Sequence, residues 1–175
     1  MNPTQSAALR NLVAILLVCL ALVLQVSLFG AFAWDGVVPD LVLLVVVAGA
    51  LARGGQFGIV LGFAAGVLLD LVPPADHTAG RWALALLVVG YVAGRLRQEG
   101  GIPALSVVAT AVGCSFVGTS VYALSGLALH EGTTDIVSML QVIGISLVWD
   151  VLLTPLVVPW VMALLNRLEP ERARI

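Results

Sequence analysis

The sequence predicts an all-α polytopic membrane protein with six transmembrane helices. Of its 175 residues, 61% are apolar and 10% are charged, whereas charged residues make up about a quarter of a typical soluble domain. Long apolar runs recur along the chain, and nearly all the arginines fall in alternate breaks between them, as the positive-inside rule requires. No polar stretch is long enough for a soluble domain, so we expect one integral membrane domain over residues 1–175.

The first three predicted spans cover residues 11–34, 37–52 and 56–72. The first is long enough to cross about 30 Å of hydrocarbon at 1.5 Å per residue. The second reaches only roughly 24 Å by helical rise, so we expect it to tilt little or to thin the bilayer locally. Pro39 and Asp40 suit its first turn, because proline lacks an N–H and a carboxylate caps exposed N–H groups.

The last three predicted spans cover residues 81–96, 104–129 and 136–165. The sixth is longer than a bilayer requires and contains Pro155 and Pro159. Each proline removes a backbone donor and bends a helix. We therefore expect a bent sixth helix, which accommodates the extra length.

Glycines recur at every fourth position through the third predicted span, and the next step of four is Asp70. Residues four apart lie along one ridge of a helix, so these glycines form a groove with the carboxylate at its end. In lipid, close backbone approach at small residues drives much of helix association. We expect the third span to organise the fold, and Gly90 and Gly94 of the fourth span to receive its groove. The glycines of the row are Gly54, Gly58, Gly62 and Gly66.

Besides Asp40, which we assign to helix capping, the predicted spans contain two acids, Asp70 and Asp150. A charge at that depth costs at least about 2.5 kcal/mol, so each needs compensation. As anchors they need only an arginine, a helix N-terminus or backbone donors, whereas a proton or ion relay needs a wet path between the two sides. The spans offer few polar residues to line such a path, which favours anchoring.

The arginines predict the orientation of the chain. With six spans, seven arginines fall on one side and only Arg81 falls on the other. This asymmetry predicts that the arginine-rich side, with both termini, is cytoplasmic. The seven are Arg10, Arg53, Arg95, Arg97, Arg167, Arg172 and Arg174.

No constellation of residues predicts catalysis. A catalytic site needs a nucleophile with a base, paired acids or a metal cluster. His77 and His130 fall in different loops, and Cys19 and Cys114 lie in apolar runs, where cysteine is typically a small buried residue. The sequence therefore predicts a non-enzyme without catalytic residues, metal, cofactor or nucleic-acid partner.

Four segments resemble the bacterial rod-shape-determining MreD family, and the resemblance extends over essentially the whole chain. They are PDLVLLVVVAGALARG (39–54), GIVLGFAAGVLLDLV (58–72), LVVGYVAGRLR (87–97) and TPLVVPWVMALLNRL (154–168). By motif match the characteristic positions form the fold or contact a partner. They are Pro39, Asp40, Gly58, Gly62, Gly66, Asp70, Gly90, Tyr91, Gly94 and Arg95.

The resemblance implies a non-catalytic scaffold of the cell-elongation machinery in the inner membrane, surrounded by membrane lipid. Proteins of this family associate with the single-pass protein MreC and, through it, with RodA, a class B penicillin-binding protein and cytoplasmic MreB. The family is also similar in fold to the substrate-binding subunits of ECF-type uptake transporters. The alternative function is therefore a small-molecule-binding subunit, which would need an outward-facing cavity with convergent polar groups.

Overall fold

The described part of the chain folds into six α-helices, which confirms the predicted all-α class. The computed structural model describes residues 3–29, 33–34, 36–73, 78–97, 103–130 and 136–168. The helices are α1 (Pro3–Ser27), α2 (Leu41–Arg53), α3 (Gly55–Asp70), α4 (Arg81–Arg95), α5 (Ala104–Ala128) and α6 (Ile136–Arg167). Among the described residues, α1, α5 and α6 are long and apolar enough to cross a membrane, whereas α2 and α3 are shorter apolar helices.

The largest difference from the predicted bounds lies in α1, which covers Pro3–Ser27 rather than residues 11–34. After α1 the chain turns back at Gly36, whose φ of +79° favours glycine. Across this turn Trp34 and Val37 exchange backbone hydrogen bonds of 3.0 and 2.9 Å. Residues 30–32 and 35, which fall at the end of the predicted span and in the turn, lie outside the described residues.

The other boundaries fall within a few residues of the predicted ones. α2 begins at Leu41, four residues after the predicted start, because Asp40 is its N-cap, so Pro39 precedes the helix instead of lying in its first turn. α6 continues through Pro155 and Pro159 to Arg167 without a break. Arg172 and Arg174 of the predicted cytoplasmic set, and the loop residue His77, lie outside the described residues.

The centre of the fold is α2, and the expectation that α3 organises the others is wrong. Every residue of α2 from Leu41 to Ala52 is buried, and all five other helices contact it. α3 instead presents one face outward, with Val60 and Phe63 exposed. A helix that is apolar on all sides lies either in a protein core or against lipid; α2, apolar throughout between Asp40 and Arg53, lies in the core.

α3 and α4 pack antiparallel with their backbones in contact along a line that we call the glycine seam. A Cβ added to Gly58 would overlap the carbonyl of Gly90, and one added to Gly62 would overlap the carbonyl of Leu86. The seam has room for no side chain, so small residues determine how closely the two helices approach. It comprises Gly55, Gly58, Gly62 and Gly66 of α3 with Ala83, Leu86, Gly90 and Gly94 of α4.

The described arginines other than Arg81 lie at one end of the bundle, the arginine-rich end. Arg53 donates a hydrogen bond of 3.1 Å to Asn11, which joins the end of α2 to the first part of α1. Arg97, beyond α4, lies beside Gly54 in the turn between α2 and α3. Gly54 has a φ of +90° and forms this turn, and its carbonyl carbon lies where a Cβ added to Gly94 would be. The grouping agrees with the topology that the sequence predicts, and the orientation itself stays a prediction.

Candidate functional site

Asp40 begins α2 at the end of the bundle opposite the arginine-rich end. Its Oδ1 accepts a hydrogen bond of 3.2 Å from the Leu43 N–H, and Oε1 of Gln25 in α1 accepts one of 3.1 Å from the Val42 N–H. The first N–H groups of a helix have no partner within it. Two of those in α2 are therefore satisfied by side chains, and α1 is tied to the start of α2.

Asp150 lies in α6, fully buried, and joins three helices. Its Oδ1 accepts a hydrogen bond of 3.1 Å from the Asp40 N–H, and its Oδ2 accepts one from the Ser115 hydroxyl in α5. Thr154, one turn further along α6, donates to the Asp150 carbonyl at 2.6 Å. We call Gln25, Asp40, Ser115 and Asp150 the polar node, since their hydrogen bonds connect α1, α2, α5 and α6.

Asp70 ends α3 and is almost fully buried at the start of α4. Its Oδ2 accepts hydrogen bonds of 2.8 Å from the Gly80 N–H and 3.1 Å from the Ala83 N–H. Its Oδ1 accepts one of 3.1 Å from the Trp82 N–H. The carboxylate therefore caps α4 from α3, where the positive end of the helix dipole stabilises negative charge.

A cavity of about 400 Å³ lies beside the polar node. Gln25, Asp40 and Ser146, all buried, contribute to its lining. The rings of Trp82 and Tyr122, stacked with their centroids 4.3 Å apart, form another part of its wall. Its wall is mostly apolar, and the few polar groups in it can bind water or a small polar group.

Arg81, which also lines this cavity, attaches the start of α4 to the end of α5. Its Nε donates to the Ser125 hydroxyl at 3.3 Å, and its Nη2 donates to the Tyr122 carbonyl at 2.7 Å. The guanidinium carbon is 4.0 Å from the centre of the Tyr122 ring. Gly126 leaves room for the guanidinium, because a Cβ there would overlap it.

Asp70 and Asp150, which the sequence predicts to lie within the membrane, belong to different hydrogen-bond networks in the structure. Asp70 caps α4, whereas Asp150 hydrogen-bonds with Asp40. Sequence reasoning placed Asp40 at a helix start and missed its contact with α6. It did not identify Val42 as the partner of Gln25 or Asp150 as the partner of Ser115. The one available signal was that both residues are polar within apolar runs, and that signal does not identify a partner.

The remaining predicted site residues lie at the helix contacts and on the surface. Gly58, Gly62, Gly66, Gly90 and Gly94 belong to the seam. Tyr91 and Arg95 are exposed on α4, and Pro39 is buried just before α2. Among the described residues, no group of three His, Cys, Asp or Glu side chains could hold a metal ion.

Comparison with known proteins gives one match. The model of a protein family described as rod shape-determining protein MreD matches residues 5–168, nearly the whole chain. Neither a curated relative nor a solved structure matches significantly.

Proposed function

The chain belongs to the MreD family of rod shape-determining proteins, and from this premise we propose that it is a non-catalytic scaffold of the bacterial cell-elongation machinery. The family consists of shape-determining membrane proteins and is not a known family of enzymes. In the proposal, the protein docks the transmembrane helix of MreC. Through MreC or directly it holds RodA and a class B penicillin-binding protein, and it engages MreB indirectly. All six helices cross the cytoplasmic membrane, with both termini in the cytoplasm.

The buried acids support a scaffold rather than a relay. Asp40, Asp70 and Asp150 each accept a hydrogen bond from a backbone N–H. Asp70 and Asp150 act on different helices, and no hydrogen bond connects them among the described residues. Side chains that compensate helix ends and join neighbouring helices make a rigid body. The anchoring role, which the sequence favours over conduction, therefore has physical support.

The observation that carries the proposal is an apolar groove between α1 and α6. It has a volume of about 380 Å³ and is lined by Leu20 and Leu24 of α1, Leu156 and Trp160 of α6, and Val45 of α2. Leu20, Leu156 and Trp160 are at least half exposed. We propose that the MreC helix packs here, because dispersion contacts in a preformed groove favour helix association in lipid.

Photo-crosslinking in cells tests this placement. A photoreactive residue at Leu20 or Trp160 should give a crosslink to MreC. The same residue at Leu124, which is exposed on α5, should give none. Equal crosslinking at all three positions would contradict the groove assignment. Failure to recover MreC or a cell-wall synthase from membranes, with normal cell shape after depletion, would contradict the scaffold itself.

The comparisons give no support to the alternative function, a substrate-binding subunit of an ECF-type uptake transporter. The cavity beside the polar node has a mostly apolar wall with a few polar residues. Its polar residues also join helices: Gln25 hydrogen-bonds with α2, and Arg81 hydrogen-bonds with α5. The scaffold therefore remains the function that we propose.

A further inference from the structure

The cavity beside the polar node has the size and lining of a small-ligand site. Its volume is about 400 Å³, and such sites are mostly apolar with a few polar groups. Gly36 and Asp40 both line it, so the cavity reaches the end of the bundle opposite the arginine-rich end. Apolar residues form much of the wall, among them Val37, Val38, Met139, Val142 and Ile143.

Asp40 lines this cavity and has one carboxylate oxygen without a donor. Its Oδ1 accepts the hydrogen bond from the Leu43 N–H, but its Oδ2 is buried and has no hydrogen-bond partner among the described residues. Gln25 lies beside Asp40 without a hydrogen bond to this oxygen. A buried carboxylate oxygen that has lost its hydration is costly unless a donor replaces the water. Asp40 therefore needs a donor that the described residues do not supply.

The polar node also combines two acids with uncharged partners. Among the described residues, the hydrogen bonds to the carboxylates of Asp40 and Asp150 come from backbone N–H groups and from the Ser115 hydroxyl. Two neighbouring carboxylates in an apolar setting favour a cation. A cation in the cavity would lie near Asp40 rather than near the Arg81 guanidinium, which is bound to α5.

We propose that this cavity binds a primary ammonium group, carried either by a small amine or by the headgroup of phosphatidylethanolamine. The ammonium group donates to the Asp40 carboxylate, and its charge compensates the two acids. The hydroxyl of Ser146, which is buried and lines the cavity, can accept another of its three N–H groups. The apolar part of the ligand lies against Trp82, whose ring stacks on Tyr122. Water would supply a donor but no positive charge.

Native mass spectrometry of the full-length protein tests the ammonium contact. After purification in mild detergent, the protein is incubated with equal amounts of phosphatidylethanolamine and phosphatidylcholine that have the same acyl chains. Both headgroups are zwitterionic, but the quaternary nitrogen of phosphatidylcholine has no N–H. We expect phosphatidylethanolamine to be retained about tenfold better, the effect of one hydrogen bond to a charged group.

Thermal unfolding distinguishes the two sources of the ammonium group. Phenethylamine and phenethyl alcohol have the same apolar body, and only the amine is cationic. If a free amine is the ligand, phenethylamine should raise the Tm of the delipidated protein and the alcohol should not. If the lipid headgroup is the ligand, phosphatidylethanolamine is retained and phenethylamine has no effect.

The substitution Asp40→Asn tests which residue binds the ammonium group. Asparagine is also a favoured N-cap residue, so α2 keeps its cap. The negative charge is lost, and the preference for phosphatidylethanolamine or the stabilisation by phenethylamine should disappear. Asp70→Asn is the matched control, because Asp70 is likewise a buried acid that caps a helix. It does not line the cavity and should leave binding unchanged.

A second pair of variants tests the cavity itself. Ala123 of α5 lines it, so Ala123→Phe should fill part of the space and reduce binding of the ligand. Ala109→Phe, at an exposed position on α5, should leave binding unchanged. Thermal unfolding of each variant verifies that it folds.

Three outcomes would overturn the proposal. Equal retention of the two lipids, together with no effect of phenethylamine, would mean that water supplies the missing donor. Equal losses in Asp40→Asn and Asp70→Asn would mean that the ligand responds to negative charge at this end of the bundle. Full binding in Ala123→Phe would mean that the ligand lies outside the cavity. None of these outcomes bears on crosslinking at the α1–α6 groove, so the proposed scaffold is tested separately.

Discussion

The glycine seam and the polar node hold helices together in opposite ways. In the seam, α3 and α4 touch through their backbones, and a Cβ added at Gly62 would overlap the opposite chain. At the node, side chains connect the helices, and the Asp150 carboxylate accepts hydrogen bonds from the Asp40 N–H and the Ser115 hydroxyl. The seam forms because its glycines have no side chains, whereas the node is stable only when all its hydrogen bonds are made.

This difference determines how each region responds to change. Any added side-chain atom forces the seam apart, because backbone cannot move aside as a flexible side chain can. The node instead tolerates a substitution that preserves its donors and acceptors, and it fails when one partner is left unsatisfied in an apolar setting. The largest effects are therefore expected from steric change in the seam, and smaller ones from loss of a hydrogen bond.

The substitution Gly62→Leu should have the largest effect. The new side chain would meet the Leu86 carbonyl, so α3 and α4 must separate, and we expect a loss of more than about 3 kcal/mol in the free energy of unfolding. The measurement is reversible unfolding in detergent micelles. Val60→Leu on the exposed face of α3 should change the stability little.

A pair of smaller changes isolates the steric cause. Gly62→Ala should destabilise the protein, whereas Gly113→Ala in α5 should be neutral or stabilising. No atom lies within 4 Å of a Cβ at Gly113, and alanine is the better helix former by about 0.5–1 kcal/mol. Equal effects of the two substitutions would show that the seam is not a close contact.

At the polar node, Asp150→Leu should destabilise by about 2–3 kcal/mol, because the Asp40 N–H and the Ser115 hydroxyl lose their acceptors. Asp150→Asn keeps an acceptor oxygen and adds an amide group that can pair with Ser115, so it should retain most of the stability. Unfolding measurements on both variants test this order. A leucine variant as stable as the asparagine variant would mean that packing, not hydrogen bonding, holds the node.

The smallest of these effects is expected at Asp70, whose carboxylate caps α4 beside the glycine seam. Asp70→Ala leaves the N–H groups of Gly80, Trp82 and Ala83 without their acceptor, which should destabilise by about 1 kcal/mol, as for loss of a helix cap. Hydrogen exchange should quicken at these three amides and stay unchanged at Leu43. Faster exchange at Leu43 as well would mean that the cap supports the whole bundle rather than α4 alone.

Sequence reasoning anticipated the seam better than the node. A row of glycines four residues apart allows only a few helix packings in lipid, so close contact of the third and fourth spans could be expected from Gly58, Gly62, Gly90 and Gly94 alone. Asp150 gave no such constraint, since a buried carboxylate can be compensated by many kinds of donor. The donors are a backbone N–H 110 residues away and a hydroxyl 35 residues away. No repeating pattern of residues in the sequence indicates either of these two contacts.

The sequence alone determined the all-α class, the approximate position of every helix and membership of the MreD family, because apolar runs, breaks and motifs are local properties of the chain. Only the tertiary structure decided that α2 is the central helix, that Asp40 meets Asp150, and that a cavity lies beside the polar node. A lipid-facing helix and a buried one can have the same apolar composition. Which of them is surrounded depends on the packing of all six helices together.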